Sequence, residues 1–106
     1  MTRTGGLNGD YKSIEIDVDT GFFFNQANKK GKLTPEDVRK LDEIIDSDQF
    51  KSLDPKYTNP NPLSTPNSYR YTVSYSEKRI GSTFDVSTKY PDFLDQLISI
   101  FEKYAI

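Results

Sequence analysis

Alternation of apolar and polar side chains predicts three strands along the chain. In residues 13–20, isoleucine and valine alternate with acidic residues, so this strand should have one buried and one solvated face. The same period of two recurs in 67–76 and 79–87, and the short link between them predicts a hairpin. Three closely spaced glycines follow residues 1–4, which favours a turn that returns these residues as a short edge strand.

Two segments have the period of an amphipathic helix. Thr34 and Pro35 are typical of the N-cap and the first helical position, and the two acidic residues that follow suit the helix dipole. The apolar side chains beyond them recur three and four positions apart, so we predict a helix that ends near Ser47. A second helix with a broad apolar stripe is predicted from about Pro91.

Together these elements predict a single α+β domain over residues 1–106, in the order β-β-α-β-β-α. We expect an antiparallel sheet of three to four strands with two helices packed on one face. Two segments are predicted as loops: residues 21–32, which are rich in Gly, Asn and Lys, and residues 51–67, which are rich in Pro, Asn and Ser. The predicted core consists of Ile14, Ile16, Val18, Leu41, Ile45, Tyr71, Val73, Phe84, Val86, Leu94, Leu97, Ile98 and Phe101.

The composition excludes several classes of chemistry. The 106 residues include no cysteine and no histidine, which rules out a disulfide, a thiol nucleophile, a Ser-His-Asp triad and a Cys/His metal site. The formal net charge of −2 argues against nucleic-acid binding. The longest hydrophobic run, the three phenylalanines at 22–24, is too short to cross a membrane. We therefore expect a cytoplasmic monomer with no catalytic residues, no cofactor and no metal.

The main enzymatic alternative is the triplet Asp19-Thr20-Gly21, which Val18 precedes as in aspartic proteases. A chain of this length would have to dimerise so that two aspartates could share one proton. Phe22 stands where that active site has a small residue. We therefore expect Asp19 to be a structural residue at a strand end.

The proline-rich segment is the best candidate for a contact surface. Its prolines restrict the free loop, so less conformational freedom is lost when it binds. Leu63, next to Pro62, is the only aliphatic residue in 57–67. A single apolar side chain on a stiff polar loop suits either a plug into the core or a probe for a partner.

Several motifs occur in a recognisable order. The chain has Arg-Thr-Gly-Gly-Leu-Asn-Gly at 3–9, Leu-Thr-Pro-Glu-Asp at 33–37 and Ser-Asp-Gln-Phe-Lys-Ser-Leu at 47–53. With the paired strands and the closing helix, they resemble the emfourin family of small protein inhibitors of thermolysin-like (M4) metallopeptidases. Leu7 replaces an aromatic residue of the family pattern and Gln49 replaces one of two phenylalanines. The link from strand to helix at 21–32 is longer than is usual in the family.

The resemblance implies a non-enzymatic inhibitor that presents a stiff loop to the zinc cleft of a thermolysin-like peptidase. The cleft has an apolar pocket that accepts Leu or Phe on the leaving-group side. From the chemistry of the loops, we expect Leu63 to be the anchor, with Pro62 and Tyr57 beside it. Leu7 on the glycine-rich turn is the second choice. Besides the aspartic protease, the remaining alternative is an interaction domain with no peptidase partner.

Overall fold

The computed structural model describes residues 1–6, 9–58 and 69–105, apart from the side chain of Lys78. These residues form one mixed sheet, three α-helices and a short 3₁₀ helix, Ser76–Lys78, between the last two strands. In chain order the elements are the strands β1 (Thr2–Gly5), β2 (Asp10–Ile16), β3 (Phe22–Asn25) and β4 (Lys30–Lys32), the helices α1 (Pro35–Asp46) and α2 (Asp48–Lys51), the strands β5 (Lys56–Tyr57), β6 (Tyr69–Tyr75) and β7 (Ile80–Asp85), and the helix α3 (Leu94–Tyr104).

The sheet has seven strands among the described residues, in the order β4-β3-β2-β1-β6-β7-β5. Neighbouring strands are antiparallel except β5 and β7, which are parallel. The predicted sheet of three to four antiparallel strands with two helices, in the order β-β-α-β-β-α, is therefore wrong. The first strand was also predicted at an edge, whereas β1 lies in the centre of the sheet between β2 and β6.

The segment 21–32, predicted as a loop, contains β3 and β4. Left-handed backbone at Gly21 (φ 80°) and Asn28 (φ 59°) reverses the chain before and within the hairpin. The amide of Asp17 donates to the carbonyl of Phe22 at 2.9 Å, which starts the pairing of β3 with β2. Three successive phenylalanines place the same side chain on both faces of β3, so the alternation that identifies a strand is hidden.

Helix α1 begins and ends where the sequence predicts. The hydroxyl of Thr34 accepts the amide of Asp37 at 3.2 Å, Pro35 occupies the first position, and Ser47 is the C-cap. Helix α3 begins at Leu94, after a turn in which the amide of Leu94 donates to the carbonyl of Pro91 at 3.0 Å.

The core lies between the helices and one face of the sheet. Its centre is aromatic: the ring of Tyr71 stacks on Phe84 at a centroid distance of 5.5 Å and meets Phe101 edge-on at 5.8 Å. Of the predicted core, the buried members are Ile14, Leu41, Ile45, Tyr71, Val73, Phe84, Leu94, Leu97 and Phe101, and the partly buried members are Ile16, Val18 and Ile98.

Val86 was wrongly predicted as a core residue, since it is 40% exposed. Strand β7 ends one residue earlier, at Asp85. The apolar alternation of this segment therefore runs past the end of the strand. Buried hydrophobic residues outside the predicted set are Leu33, Ile44, Phe50, Ile100 and Ala105.

The opposite face of the sheet is turned to solvent. Thr4, Tyr11, Glu15, Thr72 and Ser74 lie on this outer face and are exposed. The fold thus leaves two kinds of surface for a partner: the outer face and the turns at the ends of the strands.

Candidate protein interface at the loop end of the sheet

Strand register brings the two predicted contact segments to one end of the sheet. Gly5 of β1 pairs with Asp10 of β2 on one side and with Tyr69 of β6 on the other. Tyr57 of β5 lies beside Phe84, one residue before the end of β7, and β5 runs parallel to β7. The glycine-rich turn therefore leaves and re-enters the sheet at the same end as the segment 59–68. We call this end, marked by Gly5, Asp10, Tyr69 and Asp85, the loop end.

Of the four predicted contact residues, the structure describes Tyr57. Leu7, Pro62 and Leu63 lie outside the described residues. Tyr57 is half-buried against the core, and its hydroxyl accepts the amide of Asp54 at 3.0 Å. Its carbonyl accepts the hydroxyl of Thr88 at 2.7 Å. The first bond closes a turn within the segment, and the second ties β5 to the residues that follow β7. A contact of Tyr57 with a partner stays a prediction.

The first residue of the glycine-rich turn packs tightly on β6. Gly6 has φ +79°, and a Cβ at this position would lie 2.6 Å from Cε1 of Tyr69. The guanidinium carbon of Arg3 lies 4.3 Å from the centroid of the same ring. Both the left-handed backbone and the aromatic ring beside it therefore favour glycine at residue 6.

Arg3 connects the loop end to the core. Its side chain is buried, and Nη1 donates to Oε1 of Glu102 on α3 at 2.7 Å. The hydroxyl of Tyr71 donates to the same oxygen at 2.8 Å. Burial, and then the carboxylate of Glu102, raise the pKa of Tyr71. Burial of Arg3 favours its neutral form, but its interactions with Glu102, together with those with Tyr71 and Tyr69, outweigh this effect and raise the pKa of Arg3. Strands β1 and β6 and helix α3 are thus joined by charge-assisted hydrogen bonds directly beneath the turn.

Two exposed apolar side chains flank the loop end. Tyr11 is 58% exposed and follows the glycine-rich turn, and Val86 is 40% exposed and follows β7. The amide of Val86 donates to the carbonyl of Tyr69 at 3.2 Å, so it extends the last row of the sheet. Between them on the outer face, Arg70 donates two hydrogen bonds to Asp85, at 2.7 and 3.3 Å.

Sequence reasoning missed both of these side chains as surface candidates. Val86 was assigned to the core, and Tyr11 lies before the predicted start of its strand. The parity of β2 is the signal that could have identified Tyr11, because it lies four residues before Glu15 and so on the same, solvated face.

Asp19 lies on an exposed turn rather than at the end of a strand. Strand β2 ends at Ile16, and Oδ1 of Asp17 accepts the amide of Asp19 at 2.9 Å. Gly21 is buried, and a Cβ there would lie 3.0 Å from Cγ2 of Val38. This glycine therefore has a packing reason to be in the triplet, and the structural role of Asp19 stays a prediction.

Within residues 1–6, 9–58 and 69–105, no three carboxylates are grouped closely enough to hold a metal ion. None of the helices in the same ranges is long and apolar enough to span a membrane.

Comparison with known proteins leaves the family of the chain open. No protein-family model, no curated protein and no solved structure matches it. The resemblance to the emfourins therefore rests on the ordered motifs of the sequence.

Proposed function

We propose that this chain inhibits a thermolysin-like metallopeptidase and that the loop end of the sheet is its contact surface. The ordered motifs that resemble the emfourins supply the class of target. The observation that carries the proposal is the convergence at the loop end: the turn after Gly5 and the segment 59–68 begin and end there. These are the two segments with predicted apolar anchors, Leu7 and Leu63.

An inhibitor of this kind needs no catalytic group of its own. It has to hold an apolar anchor in the cleft at a low cost in conformational entropy. The packing of Gly6 and Arg3 on Tyr69 gives the glycine-rich turn a stiff base. The prolines between residues 59 and 68 restrict the second segment by a different means, because each proline ring fixes its own φ angle. We assign the primary anchor to Leu63 and the secondary anchor to Leu7.

The surface around the two segments suits a protein partner. Protein interfaces are enriched in aromatic residues and arginine, and stable ones bury roughly 1,600 Å² in total. Two short segments would provide only part of such an area. Tyr11 and Arg70 on the outer face, and Val86 beyond the end of β7, extend the contact around the loop end.

The test is a titration of the purified protein against a panel of thermolysin-like peptidases, with a fluorogenic peptide as substrate. Leu63→Ala should raise the inhibition constant about thirtyfold, which corresponds to the roughly 2 kcal/mol loss of an interface hot spot. Tyr11→Ala should raise it less. Phe22→Ala is the matched control, because Phe22 is also 58% exposed but lies on β3, away from the loop end.

Three results would count against the proposal. The first is no inhibition of any peptidase in the panel. The second is rapid cleavage within residues 59–68, detected by mass spectrometry, which would make the chain a substrate. The third is a loss of inhibition in Phe22→Ala as large as in Leu63→Ala, which would place the contact elsewhere.

A further inference from the structure

The β3–β4 hairpin carries an exposed aromatic strip. Phe22 is 58% exposed and Phe24 is 39% exposed, whereas Phe23 points inward and its ring lies 5.1 Å from that of Tyr104. Nζ of Lys32 lies 5.6 Å from the centroid of Phe22, and Nζ of Lys30 lies 5.9 Å from the centroid of Phe24. Phe22 is exposed despite the lysine side chain beside it.

Charge is ordered across this strip. Glu15 of β2 pairs with Phe24 of β3, which pairs in turn with Lys30 of β4. The same order recurs two residues further along β3. There the amide of Asp17 donates to the carbonyl of Phe22, and Phe22 pairs with Lys32. An acidic row on β2 and just beyond it, an aromatic row on β3 and a basic row on β4 therefore run side by side along the strands. A shallow groove of about 490 Å³ is lined by the acidic and aromatic rows and by Lys30. We call this surface the charged aromatic strip.

We propose that two copies of this chain associate face to face through the charged aromatic strip. A two-fold axis parallel to β3, lying between the two outer faces, places the basic row of one copy over the acidic row of the other. Lys30 of each copy then faces Glu15 of its partner, and the phenylalanines meet at the centre. A two-fold axis perpendicular to β3 would place like charges over one another, so electrostatics selects the first arrangement.

A second copy suits this surface better than an acidic or a basic partner. A uniformly acidic partner would be repelled by Glu15 and Asp17, and a uniformly basic one by the lysines. The strip itself has the complementary order of charges. Since only two phenylalanines per copy are exposed, the contact is smaller than a standard interface, and we expect dissociation in the micromolar range or weaker. The assembly does not depend on the proposed inhibitory function.

The experiment is sedimentation equilibrium of the full chain from micromolar to near-millimolar concentration. The wild type should form a dimer as concentration rises. Glu15→Lys alone and Lys30→Glu alone should each weaken dimerisation at least tenfold. Lys40→Glu is the control for net charge, because Lys40 is exposed on α1, outside the strip. Phe22→Ser should weaken the dimer without changing the circular dichroism of the fold.

The charge-exchange variants distinguish this geometry from other contacts. A 1:1 mixture of Glu15→Lys and Lys30→Glu chains should dimerise. Residues 15 and 30 are both lysine in one chain and both glutamate in the other, so opposite charges face each other at both contacts. The double variant carrying both changes should also recover the dimer. If the wild type stays monomeric at all concentrations, the proposal is wrong. This holds even if the monomer binds an acidic aromatic peptide added as a probe. The proposal is also wrong if both single variants dimerise as strongly as the wild type. It is equally wrong if neither the mixture nor the double variant forms a dimer.

Discussion

Asp37 connects the start of α1 to the end of α3. The residue is 6% exposed, and its carboxylate accepts hydrogen bonds from Nζ of Lys103, at 2.8 Å, and from the hydroxyl of Tyr104. The Tyr104 oxygen in turn accepts the amide of Thr34 at 3.1 Å. Asp37→Ala removes the shared acceptor and leaves the Tyr104 hydroxyl without its carboxylate. Glu36 is exposed in the same helical turn, so Glu36→Ala is a matched control.

The magnitude follows from these contacts. A hydrogen bond to a charged group stabilises a protein by about 1.5–3 kcal/mol. An acidic residue in the first turn of a helix adds about 0.3–1 kcal/mol. We therefore expect Asp37→Ala to lower the free energy of unfolding by about 2–4 kcal/mol, a large part of the roughly 5–15 kcal/mol of a typical domain. Glu36→Ala loses only the first-turn effect and an exposed ion pair with Lys40, about 1 kcal/mol or less.

The loss should depend on pH. The hydrogen bonds from Lys103 and Tyr104 hold the pKa of Asp37 below its ordinary value of about 3.9. A carboxylate with a lowered pKa in the folded state stabilises the protein fully above the pKa of the unfolded state. That stabilisation is lost as the pH falls through the pKa of the folded state. The difference between wild type and Asp37→Ala should therefore be largest near pH 7 and shrink below about pH 4.

The assay is urea unfolding followed by circular dichroism at neutral and acidic pH, with the slope of the transition compared between variants. Two results would refute the reasoning. Equal losses for Asp37→Ala and Glu36→Ala at pH 7 would show that the contacts with α3 add nothing. A difference from wild type that stays constant into the acid range would show that the charge of Asp37 is not the cause.

Two further comparisons test the packing by the same unfolding assay. Gly6→Ala and Gly9→Ala each force a side chain into left-handed backbone, at a cost of about 1–2 kcal/mol, but only Gly6→Ala must also displace the ring of Tyr69. It should be the more destabilising of the two, and equal losses would mean that the ring moves aside freely. Phe84→Ala should cost about 3–5 kcal/mol because its side chain is fully buried, whereas exposed Val86→Ala should stay within about 0.5 kcal/mol. Similar losses at these two positions would contradict the observed end of β7.

Helix α1 could be predicted from the sequence because its signals are local. A cap, the proline after it and the apolar face that follows act over three or four residues, and no distant part of the chain is needed to interpret them. The alternation in β6 and β7 is local in the same sense, and it identified their buried apolar side chains, Tyr71, Val73 and Phe84. The glycine-rich turn was also recognised from composition alone, since only certain residues adopt left-handed backbone at low cost.

The partners of each strand were decided by the tertiary structure. An alternating pattern shows which face of a strand is apolar, but hydrogen bonding to a neighbour joins residues far apart in sequence. For this reason β1 was expected at an edge and lies in the centre. Strand β5 has two residues, too few for a period, and its parallel pairing exists only because β7 lies beside it. The β3–β4 hairpin depends on two backbone reversals around a run of phenylalanines that has no period.

The candidate interfaces show the same division. The chemistry of single segments selected Leu63 and Leu7, because a lone apolar residue on a stiff or glycine-rich loop can be recognised without a fold. That the two segments share one end of the sheet follows from the pairing of Gly5 with both Asp10 and Tyr69. The order of charge across the charged aromatic strip likewise arises only when three strands lie in register. The type of each side chain can be read directly from the sequence. Side chains that are distant in sequence come close together only through strand pairing.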